Sequence, residues 1–294
     1  MPKEGRILKG IGGFYYVETG DGRIYECRGR GIFRKDNEKL LVGDMVRISV
    51  IEETDATGSV DELLPRKNRL IRPEAANVDQ ALLVFAFDRP RPNPVLLDRF
   101  LITLRRNDVP CILIFNKRDL VDKTDVDGLL NAYKDAVSDV RALCALEDSF
   151  KDTLKELLCG RISLLAGPSG VGKSTILNAL CPEAAAATGE ISRKLKRGKH
   201  TTRHSELFGI EGGGYIMDTP GFTALELKDI EAAEVRSEYP EFEAYAGKCR
   251  FQDCMHIKEP GCRVREAVSA GEIPRIRYEN YCAVYSEIND RKRY

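Results

Sequence analysis

The stretch "GPSGVGKST", Gly167 to Thr175, decides how this chain is read. It follows an apolar run, "RISLLA", and opens a helical one, "KSTILNAL", so its glycines fall in a strand-to-helix turn. In that setting Gly167-x-x-x-x-Gly172-Lys173-Ser174 is expected to be a phosphate loop. The glycines let backbone N–H groups curl round phosphate oxygens, Lys173 reaches the β- and γ-phosphates, and the Ser174 hydroxyl takes a place on Mg²⁺. Pro168, Ser169, Gly170, Val171 and Thr175 complete the loop and join the candidate nucleotide contacts.

A second stretch, "NKRD" from Asn116 to Asp119, closes the apolar run "CILIF". The Asp119 carboxylate can accept from both N1–H and the 2-amino group of guanine, whereas adenine offers a bare acceptor at N1. Asn116 would hold the loop and the base edge, and the stem of Lys117 would cover the ring. An ATPase is disfavoured by Asp119. The third stretch, "YIMDTPGF", places Asp218 at a strand end, where it can hold Mg²⁺ through water, and offers the Gly221 amide to the γ-phosphate.

The guanine motif precedes the phosphate loop, the reverse of an ordinary GTPase. Ligands of a parallel sheet bind beyond the carboxyl ends of its strands, so a site depends on where strands lie and not on their order in the chain. Circular permutation is tolerated when the old termini are close. The order is therefore expected to mark a permuted nucleotide domain.

Outward from these motifs the chain divides in three. Residues 5–64 hold short β-rich runs parted by glycine turns, with Asp21-Gly22 in "TGDGRIY" as a hairpin signal, and about five strands suggest a small OB-type barrel. From "DQALLVFAFD" fully apolar runs alternate with amphipathic ones such as "PVLLDRFLITLRRN" and "SFKDTLKELLCG", which means a parallel sheet covered on both faces. After "DTPGF" the chain turns helical and acidic, and Tyr278, Tyr281 and Tyr285 recur at helical spacing as a core stripe. "PEAAAATGEIS" is expected to begin a mobile loop.

Forty-six basic residues balance forty-six acidic ones, so net charge points to no polyanionic partner and any such surface is local. "MPKEGRILKG" lacks the apolar core of a signal peptide and no eighteen apolar residues run together, so a cytoplasmic protein without a membrane partner is expected. Of nine cysteines, Cys27, Cys111, Cys144, Cys159, Cys181 and Cys282 are scattered and read as small buried side chains. The others form Cys249-x4-Cys254-x-His256-x5-Cys262, three thiolates and an imidazole, which is a full tetrahedral set for structural Zn²⁺.

The permuted order, with a small barrel before it and a Cys/His loop after it, resembles the RsgA family, also called YjeQ or YloQ, of ribosome small-subunit-dependent GTPases. The resemblance covers essentially the whole chain, including "CRFQDCMHIKEPGC". It implies a multidomain α/β protein: an N-terminal OB-type β-barrel over residues 1–70, a circularly permuted P-loop GTPase domain over 71–226, and a C-terminal helical zinc-binding domain over 227–294. It further implies a monomer that binds GTP and GDP with Mg²⁺, contacts the small subunit and its rRNA late in assembly, and leaves on hydrolysis.

Within the resemblance "RGKHTTRH" matches the family's switch segment, with Thr201 and Thr202 as alternative sensors of Mg²⁺ and γ-phosphate. Lys199 and Arg203 depart from the family's Arg and third Thr, and Cys144-Ala145 stands for its usual Ser-Ala beside the guanine oxygen. Phe222 follows "DTPG" where a Ras-like protein offers a water-orienting Gln, so hydrolysis by the isolated chain is expected to be slow, with His200 as the candidate to position the water. The basic run from Arg193 to Arg203 is expected to grip rRNA phosphates in one nucleotide state. An alternative is a nucleotide-gated RNA-binding module with negligible turnover, Phe222 marking a dead switch. The segment from Asp218 to Phe222 leads into the helices carrying the Cys/His loop, so loss of the γ-phosphate is expected to shift that part.

Overall fold

Apolar side chains at every second position of a short strand turn one face inward, and five such strands closed on one another bury that face. The computed structural model describes residues 2–30, 39–71, 73–147, 149–182, 184, 205–218, 227 and 230–291. Its first five strands are β1 (Pro2–Ile11), β2 (Phe14–Thr19), β3 (Ile24–Gly29), β4 (Met45–Glu52) and β5 (Thr57–Leu63). Two short strands follow, β6 (Arg69–Leu70) and β7 (Ala75–Ala76), then β8 (Gln80–Ala86), α1 (Pro94–Arg106), β9 (Cys111–Asn116), α2 (Lys123–Tyr133), β10 (Asp139–Ala142), α3 (Phe150–Leu158), β11 (Ile162–Ala166) and α4 (Lys173–Leu180). Strands β12 (Glu206–Gly209) and β13 (Tyr215–Asp218), two 3₁₀ segments (Ala232–Glu238 and Pro240–Tyr245), α5 (Arg263–Ala270) and α6 (Arg275–Arg291) complete the described chain.

The chain divides into two compact units, Met1–Gln80 with Asp148–Ala166 and Lys173–Phe222, and Ala81–Glu147 with Gly167–Gly172 and Thr223–Tyr294. In the first unit β1 pairs with β2, β2 with β3, β3 with β5, β5 with β4, and β4 back to β1, which closes the OB-type barrel. Ile7, Val17, Tyr25, Cys27, Val46, Ile48 and Val60 fill it. The expected hairpin joins β2 to β3, with Gly22 at φ +77° and its N–H on the Thr19 carbonyl at 2.8 Å. At the barrel's exit the Arg66 fork grips the buried Asp44 carboxylate at 2.6 and 2.7 Å.

The same unit carries β11, parallel to β13, and β12, antiparallel to it. Beside the parallel strands of the expected sheet, β12 runs antiparallel for a local reason. Gly212, Gly213 and Gly214 take φ of +92°, +96° and +102°, conformations closed to most side chains, and they turn β12 and β13 into a hairpin that can only be antiparallel. β12 also meets β1 of the barrel, with Glu206 opposite Lys9.

In the second unit β9 lies between β8 and β10, all parallel, and the fully buried "QALLVFA" and "CILIFN" explain the unbroken apolar runs. Helix α1 starts where the Asn93 side chain accepts from Leu96 N–H at 3.1 Å with Pro94 at its first position. Ile102 of α1 shares a core with Tyr239, Phe242, Val264, Tyr281, Val284 and Ile288 from the C-terminal segments. Tyr281 is wholly buried there, with Tyr278 and Tyr285 packed against that core, as the helical stripe predicts.

Within that core Arg277, 1% exposed, pairs with Asp98, 0% exposed, and with Glu241 at 2.6 Å. Its guanidinium lies over the rings of Tyr133 and Tyr239, 5.1 and 4.8 Å from their centres. Burial pushes the Asp98 carboxyl up to about 6 against the pull of Arg277.

The acidic stretch after "DTPGF" is helical as expected, in two short 3₁₀ segments parted at Tyr239, which Pro240 holds extended at φ −110°, ψ 97°. Of the scattered cysteines Cys27, Cys111, Cys144 and Cys181 are buried, Cys282 is half-buried, and Cys159 is exposed with its thiol 3.3 Å from the Gly212 carbonyl. Cys159 follows the last helical residue of α3, where the chain has already left the core. Among the described residues no helix is long and apolar enough to cross a membrane. Most of "PEAAAATGEIS" lies outside the described residues.

Candidate functional site

Asn116 ends β9, and its buried side chain ties three loops of the second unit together. Its Nδ2 donates to the Val171 carbonyl at 2.9 Å, and its Oδ1 accepts from Ala145 N–H at 3.0 Å. The next residue, Lys117, takes the left-handed conformation at φ +61°, which aims its ammonium at the Gly170 carbonyl, 2.8 Å away, and at the Arg89 carbonyl. Residues of "NKRD", the Cys144-Ala145 pair and Gly167–Gly172 are thus brought together. Asp119 lies in a one-turn 3₁₀ segment, Arg118–Leu120, with its carboxylate exposed. Burial raises the Cys144 thiol above its ordinary value, and the neighbouring Asp119 carboxylate adds to the rise, so the thiol stays protonated beside that charge.

Two glycines of the phosphate loop are required by space as well as by angle. A Cβ on Gly167, at φ +133°, would lie 2.1 Å from the Val84 carbonyl, and one on Gly172, at φ +100°, would lie 2.3 Å from Asn116 Nδ2. The loop therefore passes so close to β8 and β9 that only a hydrogen fits. Val171 is buried, Pro168 is half-buried, and Ser169 and Gly170 are exposed.

In the first unit Lys173 opens α4, with Ser174 and Thr175 exposed on its first turn. Burial lowers the Lys173 ammonium below its ordinary value, and the charge of the Asp218 carboxylate, at the end of β13, partly offsets that fall. His200, Thr201, Thr202, Gly221 and Phe222 lie outside the described residues, as does the basic run from Arg193 to Arg203.

Cys249, Cys254, His256 and Cys262 form one cluster in the second unit, their ligand atoms all within 4.8 Å of one another. His256 Nδ1 is 3.6 Å from Cys249 Sγ and 3.3 Å from Cys262 Sγ, and those two sulfurs are 4.0 Å apart. Bonds of about 2.0–2.3 Å in a tetrahedron give edges of roughly 3.4–3.8 Å, so the donors suit a zinc ion in number and type, and a small inward shift of the sulfurs would bring their spacing to it. Burial keeps His256 below its usual value and hence neutral, the form that ligates. The surrounding chain points at the donors: Arg263 N–H meets Cys249 Sγ at 3.4 Å, and Arg236 binds the Cys254 carbonyl at 2.8 Å. The Glu259 carboxylate accepts from the amides of Met255, Ile257 and Lys258 at 2.8–2.9 Å, which shapes the turn between His256 and Cys262.

The model of the RsgA GTPase family matches residues 63–228, more than half of the sequence, and that of the RsgA N-terminal domain matches residues 4–57. The chain belongs to the RsgA GTPase family. Among its relatives, the small ribosomal subunit biogenesis GTPase RsgA of Carboxydothermus hydrogenoformans is 49% identical over 290 residues, with 99% of each chain covered. The protein of the same name from Agathobacter rectalis is 46% identical over 300 residues, again with 99% of each covered. Among solved structures, YjeQ from Thermotoga maritima superposes with a TM-score of 0.81 at 36% identity, covering 98% of this chain and 99% of that one. YloQ, described as a circularly permuted GTPase, gives 0.78 at 38% identity, covering 99% and 96%.

Family membership accounts for the motifs, yet two contributors lie outside them. Arg89, at φ +52°, lends its carbonyl to Lys117, and Arg277 locks the C-terminal segments to α1. The only sequence signal at Arg89 is the "RPRPN" turn after β8. Arg277 has none, because an arginine in "PRIRYENY" reads as a solvated charge.

Proposed function

We propose that this chain is a GTPase that binds the small ribosomal subunit late in its biogenesis and hydrolyses GTP to GDP and phosphate with stimulation by the subunit. The observation that carries the reading is the pair of bonds from Asn116 and Lys117 to the carbonyls of Val171 and Gly170, because they join a guanine-selective loop to a phosphate loop. Asp119 selects the base, the Cys144-Ala145 backbone faces the guanine oxygen, and the Lys117 stem covers the ring. Amides of the Gly-rich loop and Lys173 take the phosphates, with Thr175 beside them. Mg²⁺, held by Ser174 and Asp218, would neutralise charge on the β- and γ-phosphates. Thr201 or Thr202 and the Gly221 amide sense the γ-phosphate, and His200 orients the water.

The proposed domains run over residues 1–70, 71–226 and 227–294. The Cys249, Cys254, His256 and Cys262 set holds one structural zinc ion. The protein acts in the cytoplasm as a monomer, its barrel and zinc segment gripping the subunit and its rRNA. Phe222, an apolar residue where Gln would orient water, favours a second reading, a nucleotide-gated RNA-binding module with negligible turnover. GTP hydrolysis with and without purified small subunits, with ATP as control, separates the two: stimulation for GTP alone supports the enzyme, and binding without stimulation supports the module.

A further inference from the structure

In the first unit three strands align one residue each in a single row. Lys9 of β1 stands opposite Glu206 of β12, and Glu206 stands opposite Asp218 of β13. Directly opposed residues of antiparallel strands project to the same face, with Cβ atoms about 4.5–5.5 Å apart. The row therefore carries Lys9 of the barrel and then two carboxylates, Glu206 and Asp218. Lys9 Nζ is 3.0 Å from Glu206 Oε1, in a pair whose side chains are 31% and 27% exposed, so the ion pair is only partly screened by water. A register shift in the β1–β2 ladder falls between Ile7 and Lys9, just before this point.

Two like charges side by side repel, and a cation relieves that repulsion. The Glu206 charge therefore strengthens the field that a divalent cation meets at Asp218, and the Lys9 charge weakens it. We propose that Glu206 is a positioning residue for the Mg²⁺ site at Asp218 and that Lys9, from the barrel, sets how much of its charge the cation feels. The inference rests on Asp218 being the magnesium ligand of the nucleotide site. It makes the barrel a regulator of cation affinity: a polyanion that drew Lys9 away from Glu206 would tighten Mg²⁺ binding.

The test is the Mg²⁺ concentration at half-maximal binding of a ribose-labelled fluorescent GDP to the full chain, which needs no turnover. Lys9→Met keeps the stem and removes the charge, and the midpoint should fall by about three- to tenfold; Glu206→Gln should raise it by a similar factor, and the double variant should lie near wild type. Lys9→Arg keeps the charge and should leave the midpoint unmoved. If both single variants shift it the same way, if neither shifts it, or if Lys9→Arg moves it as far as Lys9→Met, the row acts only through packing and the inference fails. Asp218→Asn separates this failure from that of the underlying site. Should it leave the Mg²⁺ dependence intact, Asp218 is not the ligand and both readings fall. Thermal unfolding of each variant confirms that it is folded.

Discussion

A single methyl group tests how closely the phosphate loop passes Asn116. Gly172→Ala puts a Cβ against Asn116 Nδ2 in a backbone conformation that alanine resists, and the side chain it displaces holds Val171 and Ala145. We expect a stability loss of about 1–3 kcal/mol, read by urea unfolding, together with loss of GTP binding. Asp119→Asn removes a charged acceptor, so GTP affinity should fall ~10- to 100-fold while XTP gains, read by competition against labelled GDP. The Gly-rich turn was legible because its chemistry is local: Gly167 and Gly172 take positive φ where a Cβ would clash. The use of Asn116 as a bridge was not, since Val171 and Ala145 meet it only after three loops have folded together.

Elements are fixed by pairs the linear sequence hides. Arg277 of α6 is fully enclosed by Asp98 of α1, Glu241 and two tyrosine rings, and Arg277→Met would leave the carboxylates buried without their cation. Unfolding by denaturant should register a loss of about 3–5 kcal/mol. In the first unit burial opposes ionisation of Asp79, but the Ile162 amide at 2.8 Å and Lys67 at 2.8 Å outweigh it and hold the carboxyl below its usual value. A depressed carboxylate stabilises the fold above its unfolded pKa of about 3.9, and that contribution fades as pH falls through the lower folded value. Asp79→Asn should therefore flatten the acid limb of the stability curve while lowering stability at neutral pH. Periodicity revealed α1, α2, α3 and the buried strands correctly, because amphipathic spacing and apolar runs are local. The break between the two 3₁₀ segments depends on Pro240, and the reversed direction of β12 on three glycines whose hand only the folded chain displays.

Across the whole molecule the order of the motifs matters more than any one of them. "NKRD" comes before the Gly-rich loop in the chain, yet Asn116 and Lys117 bond to Val171 and Gly170 as neighbours, so the reversed order still brings the two stretches together. The Cys/His cluster was equally plain from its spacing, because four donors within fourteen residues leave little geometric freedom. Its removal should be felt locally first: chelation at neutral pH is expected to loosen the segment around Cys249 to Cys262, read by hydrogen exchange, while the barrel keeps its protection. The most direct test of the account is GTP turnover at fixed enzyme, alone and with purified small ribosomal subunits. Slow hydrolysis alone, strong stimulation by the subunit for GTP and none for ATP are expected of a ribosome-stimulated GTPase; binding of the subunit with turnover still at its background rate would rule that activity out.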